Sequence, residues 1–164
     1  MVYKKKSWQD KMADKKGLPK VLKLEKGFPC YNTLHKIGLE VGDHVVLVNP
    51  WEVEEEMKKV PRGKLTTIIH ICKNIAQKHQ VKGCCTLTAG IFIMTAANAA
   101  EEMKKEGKKN NTPYWRTLKV NGELNKKYPG GAIAQKKLLE KEGFTILHKG
   151  KRYWVENFED FLIQ

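Results

Sequence analysis

The apolar residues of this chain fall into a few short runs with recognisable periods, and the elements follow from them. Val45-Val46-Leu47-Val48 is an unbroken, β-branched run bounded by Gly42-Asp43 and Asn49-Pro50, which predicts a buried strand. Trp51 to Lys59 reads as a short amphipathic helix with acids early and Lys58-Lys59 late, the order the helix dipole favours. Val60-Pro61-Arg62-Gly63 stops it. Ile68, Ile69, Cys72, Ile75 and Ala76 then share one helical face, with Lys73, Asn74, Gln77 and Lys78 opposite. This predicts a helix from Ile68 to His79 capped by Thr66 or Thr67. Gln80 to Cys85 turns the chain. A longer helix follows from Leu87 to Lys105, capped by Thr86 or Thr88. Its first half is rich in Ala, Thr and Gly, so another surface can approach its backbone, and its last turns, Glu101 to Lys105, are expected to be charged and exposed. Two helices joined by a short glycine-containing turn make a helix-turn-helix candidate, and equally a packed helical hairpin.

The flanking segments are less regular. A short helix is expected around Trp8 to Met12, ended by Lys15-Lys16-Gly17-Leu18-Pro19, with Trp8 anchoring this arm to the body. Gly27, Pro29, Gly38 and Gly42 break residues 21–44 into irregular pieces. Beyond a basic loop from Lys104 to Asn111, Tyr114 to Val120 is predicted as a strand, Asn121-Gly122 as a two-residue hairpin turn, and Glu123-Leu124-Asn125 as the return. After Tyr128-Pro129-Gly130-Gly131 a helix runs from Ala132 to Glu142 and closes at Gly143. Phe144 to Leu147 and Arg152 to Val155 suggest a basic hairpin around His148-Lys149-Gly150-Lys151, and Phe158 to Leu162 a short closing helix. The class is mainly α with small β.

Composition narrows the function. In 164 residues, 41% hydrophobic and 30% charged, a single folded domain of ordinary size is expected, with a core of its own. The net charge of +13 and the pI near 9.6 favour polyanions as partners, nucleic acid first. The excess is mostly lysine, which suits loose phosphate contacts better than bidentate base reading; solvated lysine loops are the plain alternative. Cys30, Cys72, Cys84 and Cys85 show no Cys-x-x-Cys spacing, so reduced thiols of a cytoplasmic protein are expected. No common zinc pattern involves Cys30, His35 or His44, and neither a metal nor a cofactor is expected. The basic Met1 to Lys6 precedes Ser7-Trp8-Gln9-Asp10 and not an apolar run, which argues against a signal peptide. Cys84 to Ala100 is uncharged but too short and too polar to span a bilayer, so no membrane partner is expected.

Four motifs, taken in order, resemble one family. Val60-Pro61-Arg62-Gly63-Lys64 is similar to the Val-Pro-x-Gly-x-Val opening of the DNA-binding domain of methylguanine-DNA methyltransferases. Pro113-Tyr114-Trp115-Arg116 resembles that family's Pro-Cys-His-Arg. Tyr128-Pro129-Gly130-Gly131 and Leu138-Leu139-Glu140-Lys141-Glu142-Gly143 are similar to its tail. The resemblance covers about Val53 to Phe144. It implies a winged helix-turn-helix core over residues 51–144, with an N-terminal extension, 1–50, packed on it and a C-terminal hairpin and short helix, 145–164. The family binds duplex DNA through the minor groove, flips an alkylated guanine and transfers its alkyl group to the motif cysteine, using the histidine and a glutamate.

In this chain Glu142 matches the glutamate, but Tyr114 stands for the cysteine and Trp115 for the histidine. A phenol is a poor nucleophile for this transfer and an indole N–H is no base. No alkyl transfer is expected, and the resemblance is nearest to alkyltransferase-like proteins, which lack the cysteine and mark alkylated DNA for repair factors. Ile68 stands where those proteins carry a base-rotating tyrosine, Ala89 lies near their intercalating arginine, and Asn98 matches the asparagine hinge. The implied DNA-binding residues are Thr67, Thr86, Thr88, Ala89, Thr95, Asn98, Lys108, Lys109, Asn121, Lys126 and Lys127. Tyr114, Trp115, Arg116, Tyr128 and Glu142 line the former reactive pocket. Tyr114 and Trp115 either stack on an exposed base or fill that pocket, and Arg116 is expected to tie the hairpin to the helix. Glu142 is expected to lose its role with the histidine. The expected partners are double-stranded DNA and repair proteins, bound by a monomer. A general basic binder of RNA or DNA, and an enzyme re-using the pocket, are the alternatives.

Overall fold

The computed structural model describes residues 2–14, 16–110 and 112–164; Met1, Lys15 and Asn111, which bounded expected segments, lie outside the described residues. The chain begins with helix α1, Trp8–Ala13, whose start is fixed by a reciprocal capping box between Ser7 and Asp10. Strands β1, Lys20–Lys23, and β2, His44–Leu47, pair antiparallel. Helix α2, Tyr31–Lys36, lies between them in sequence. The irregular reading of residues 21–44 is therefore corrected. Elements of four to six residues are too short to show a period, and pairing with β2 creates β1.

Helix α3, Pro50–Lys58, starts with Pro at its first position and a capping box between Asn49 and Glu52. Strand β3, Thr66–Thr67, leads directly into α4, Ile68–Lys78, where the Thr67 hydroxyl accepts from the His70 N–H at 3.3 Å. The buried face of α4 is Ile71, Cys72, Ile75 and Ala76; Ile71 joins the expected face, and Ile68 and Ile69 are only half-buried. Expected as a plain turn, residues 80–85 contain strand β4, Gly83–Cys84, which extends the first sheet by pairing parallel with β2. Helix α5 spans Thr86–Lys105, and its cap position is Cys85 without a side-chain bond, so neither Thr86 nor Thr88 caps it. The Thr88 hydroxyl instead reaches the Cys85 sulfur at 3.2 Å.

The expected Asn121-Gly122 hairpin does not form. Tyr114–Arg116 is a 3₁₀ turn, and the two-residue strand β5, Thr117–Leu118, pairs parallel with β3, Thr66 opposite Thr117. The return segment turns outward, with Glu123 bridging Trp154 and the Leu124 N–H bonding to the Tyr153 carbonyl at 2.8 Å. Helix α6, Gly131–Glu140, is followed by Gly143 in the left-handed conformation, with φ 93°, as its C-terminal stop. Strands β6, Ile146–Lys149, and β7, Arg152–Val155, form the expected hairpin. A 3₁₀ turn, Phe158–Phe161, then delivers the last residues to Leu65. The described residues thus form a mixed fold, six helices with one three-stranded and two two-stranded sheets.

Three apolar clusters hold these parts. The largest wraps α5, joining Ala89, Phe92, Ile93 and Ala96 to Val53, Met57, Ile75 and Tyr114. A second, Leu24, Cys30, Leu34, Leu39, Val45 and Cys85, lies under the N-terminal sheet. The third, Leu65, Leu118, Leu124, Leu139, Phe144 and Val155, joins α6 to the C-terminal hairpin. Cys84 and Cys85, adjacent in sequence, alternate between the first two because the backbone is still extended at Cys85, where successive residues face opposite sides. Among the described residues no helix is long and apolar enough to cross a membrane.

Candidate nucleic-acid interface

Helix α5 buries one side completely. Ala89 has no exposed surface, and Thr95 is buried with its hydroxyl donating to the Ile91 carbonyl at 2.9 Å. Its outward stripe is Leu87, Ile91, Met94 and Asn98, spaced as one helical face, with Leu87 and Ile91 half exposed. Thr86 and Thr88 border it, half-buried. The Asn98 amide donates to the Met94 carbonyl at 2.8 Å, within its own helix. Thr67 is buried as the cap of α4. Of the residues expected to meet DNA, Thr67, Ala89 and Thr95 are therefore inside the fold, and the small Ala89 and Thr95 serve close packing.

The expected basic residues separate in the same way. Lys109, Asn121, Lys126 and Lys127 are exposed. Lys108 is also exposed, but it pairs with Glu106 at 2.8 Å and donates to the Gln9 amide oxygen at 3.0 Å. Asn121 accepts from the Glu123 N–H at 3.2 Å, an Asx-type contact that shapes its own turn. The Asn125 amide lies 3.6 Å from the Met94 sulfur, bringing the Lys126-Lys127 turn against the outward face of α5.

Tyr114, Trp115 and Arg116 come together with Tyr128 and Glu142. Tyr114 is buried, makes edge contacts with Trp115 and Tyr128 at 5.5 and 5.3 Å, and donates its hydroxyl to Glu101 at 2.8 Å. Tyr128 donates to the Thr117 carbonyl at 2.8 Å. The Trp115 indole N–H donates to Glu142 at 2.9 Å, and Arg116 grips the same carboxylate, at 2.7 Å from Nη2 to Oε1, while donating to the Val60 carbonyl at 2.7 Å. Arg116 thus ties the 3₁₀ turn to Val60 and to Glu142 beyond the end of α6. Glu142, far from idle, is the centre of the network. Buried Gln135 donates to the Trp115 carbonyl at 3.0 Å and accepts from the Asn125 N–H at 2.7 Å.

The aromatic rings fill the floor of the site. What remains open is a shallow cavity of about 270 Å³ bounded by Glu101, Lys104, Lys108, Thr112, Tyr114 and Trp115. Sequence reasoning missed Glu101, because it was assigned to an exposed helix end; it and Glu102 are half-buried, one facing Tyr114 and the other α1. Gln135 carried no local signal, since its role depends on two segments meeting in space.

Burial and hydrogen bonding set the protonation of the site's phenols and carboxylate. Burial pushes the Tyr114 phenol well above its ordinary range, and the hydrogen bond to the Glu101 carboxylate raises it further. Burial does the same to Tyr128. Burial alone would raise the Glu142 carboxyl, but Arg116, Trp115 and the Gly63 N–H outweigh it and hold the group below its usual value. All four cysteines are buried; burial and the neighbouring Cys85 push Cys30 up to about 12. A thiolate is the nucleophilic form, and at Cys30 burial and Cys85 oppose it.

With this geometry the chain has the fold of an alkyltransferase-like protein. Two crystal structures share it: S. pombe Atl1 in complex with damaged DNA containing O6-carboxymethylguanine, and S. pombe ATL in complex with DNA. Each is similar at a TM-score of 0.51 and 18% identity, covering 70% of this chain and 94% of the other. At that identity the likeness is one of fold. Neither a protein-family model nor a curated protein matches the sequence.

Proposed function

We propose that this protein binds duplex DNA and recognises alkylated guanine without accepting the alkyl group. The observation that carries the reading is the occupation of the reactive scaffold: Tyr114 and Trp115 sit between Glu101 and Glu142, on the motif positions of a nucleophile and its base. The fold shared with DNA-bound alkyltransferase-like proteins supports it. In this reading α4 and α5 are a helix-turn-helix, and α5 is the recognition helix. Thr86, Thr88 and Asn98 border the contact surface, with Ala89 and Thr95 letting neighbours pack close. Lys108, Lys109, Asn121, Lys126 and Lys127 meet phosphates, and Thr67 supports them by fixing the start of α4. The protein acts as a monomer and hands the marked site to repair proteins.

A second reading has one specific observation behind it. Ile68, at the position of a base-rotating residue, has its Cδ1 3.5 Å from where a Cβ on Gly90 would lie, an apolar contact with nothing to lower the cost of base flipping. This favours a general basic binder of DNA or RNA. Titrations against plain duplex, alkylguanine duplex, single strand and structured RNA at two salt concentrations separate the two. Preference for the lesion is expected; equal binding to all four leaves the general binder. Labelled alkylated DNA is expected to keep its label, and stable transfer to the protein would overturn the inactive reading.

A further inference from the structure

The resemblance does not cover the N-terminal arm, residues 2–14, whose helix α1 packs along α5 and is held at both ends. The Glu102 carboxylate accepts from the Trp8 and Gln9 N–H groups at 3.1 and 3.2 Å, satisfying the free donors that begin α1. The Trp51 indole donates to the Met12 carbonyl at 2.9 Å and holds the other end. Between this arm and α5 runs a groove of about 620 Å³, with Lys5, Lys6, Lys11 and Lys16 on one side and Ile91 and Met94 on the other. One acid lies among them, Asp14, and it is paired with Lys6 at 2.9 Å. Lys11 stands 3.9 Å over the Trp8 ring, a cation–π contact that fixes its ammonium at the groove.

The outward stripe of α5 bears no charge from Leu87 to Asn98. A polyanion lying on it must therefore find its counter-charge at the flanks. Met94 touches both: it lines the arm groove, and its sulfur contacts Asn125 beside Lys126 and Lys127. Lysines thus stand on both sides of one helix. We infer that the N-terminal arm is a second phosphate rail, holding one strand of a duplex in its groove with α5 while the Lys126-Lys127 turn holds the other. This rests on the reading of α5 as the nucleic-acid face.

The test is duplex binding by the full chain across a salt series. Lys5→Ala/Lys16→Ala is expected to weaken binding roughly tenfold at moderate salt and to flatten the dependence of log K on log[salt] by roughly 2, about 0.9 for each lost phosphate contact. Lys26→Ala/Lys36→Ala removes the same charge from exposed positions outside the groove and is expected to leave the slope unchanged. Equal thermal melting of all variants checks the fold. If wild type binds and Lys126→Ala/Lys127→Ala weakens it while Lys5→Ala/Lys16→Ala does not, the arm proposal alone is overturned. A matching loss in the Lys26→Ala/Lys36→Ala control would also overturn it, by reducing the effect to net charge. If wild type itself does not bind duplex, the reading of α5 fails with it.

Discussion

An indole ring has one N–H and no basic lone pair, so Trp115 donates to Glu142 but cannot take a proton from position 114. Tyr114 in turn holds its proton, because burial and Glu101 both oppose the phenolate. The carboxylate of Glu142 has become a structural anchor for Trp115, Arg116 and the Gly63 N–H. Its removal leaves the nearly buried Arg116 guanidinium without a counter-charge, so Glu142→Ala is expected to lower unfolding free energy by about 3 kcal/mol in urea titrations. The pH dependence has a definite sign. A carboxyl held low in the folded state contributes its full stability above its unfolded value of 4.5 and loses it as pH falls through the lower folded value. The stability gap between wild type and Glu142→Gln should therefore narrow as pH is lowered below 4.5. A gap that stays constant down that range would show that charge is not what Glu142 supplies. Positions 113–116 and 142 were legible from the motif alone, whereas Glu101 and Gln135 were not, since each acts on a partner brought in by tertiary packing.

At the scale of elements, legibility followed local signals. Helix α3 could be read from its early acids and late lysines, and α4 from an amphipathic run beside its cap, Thr67. Strand β3 could not, and β5 was legible only within a longer strand expected from Tyr114 to Val120, because two residues have no period and Thr66 finds Thr117 only through the fold. Asn121-Gly122 misled for a related reason. Gly122 does adopt positive φ, 79°, but its missing side chain makes room for Phe158, whose ring would lie 2.3 Å from an added Cβ. Gly122→Ala combines backbone strain with this overlap and is expected to cost about 2–3 kcal/mol by denaturant titration. The arm gives an independent check. Glu102→Ala removes the carboxylate that satisfies the start of α1, a loss of about 1 kcal/mol confined to that helix. Trypsin cleavage within residues 4–11 is expected to accelerate while the melting temperature of the body stays nearly constant. Unchanged cleavage would mean that Trp8 and Trp51 alone hold the arm.

For the whole molecule, the charge of +13 and the shape of α5 point the same way, but neither alone distinguishes a lesion reader from a general polyanion binder. At the position of the base-rotating residue Ile68 is aliphatic, with its Cδ1 3.5 Å from where a Cβ on Gly90 would lie. Salt dependence reports only the phosphate rails. Lesion preference reports the site around Tyr114 and Trp115. The most direct measurement is the ratio of Kd values for one duplex with and without a single O6-alkylguanine, at fixed salt, with the guanine analysed after recovery. Tighter binding of the damaged duplex, with the alkyl group still on the recovered base, is the predicted result. Equal Kd values, or a base recovered without its alkyl group, would contradict the proposed role.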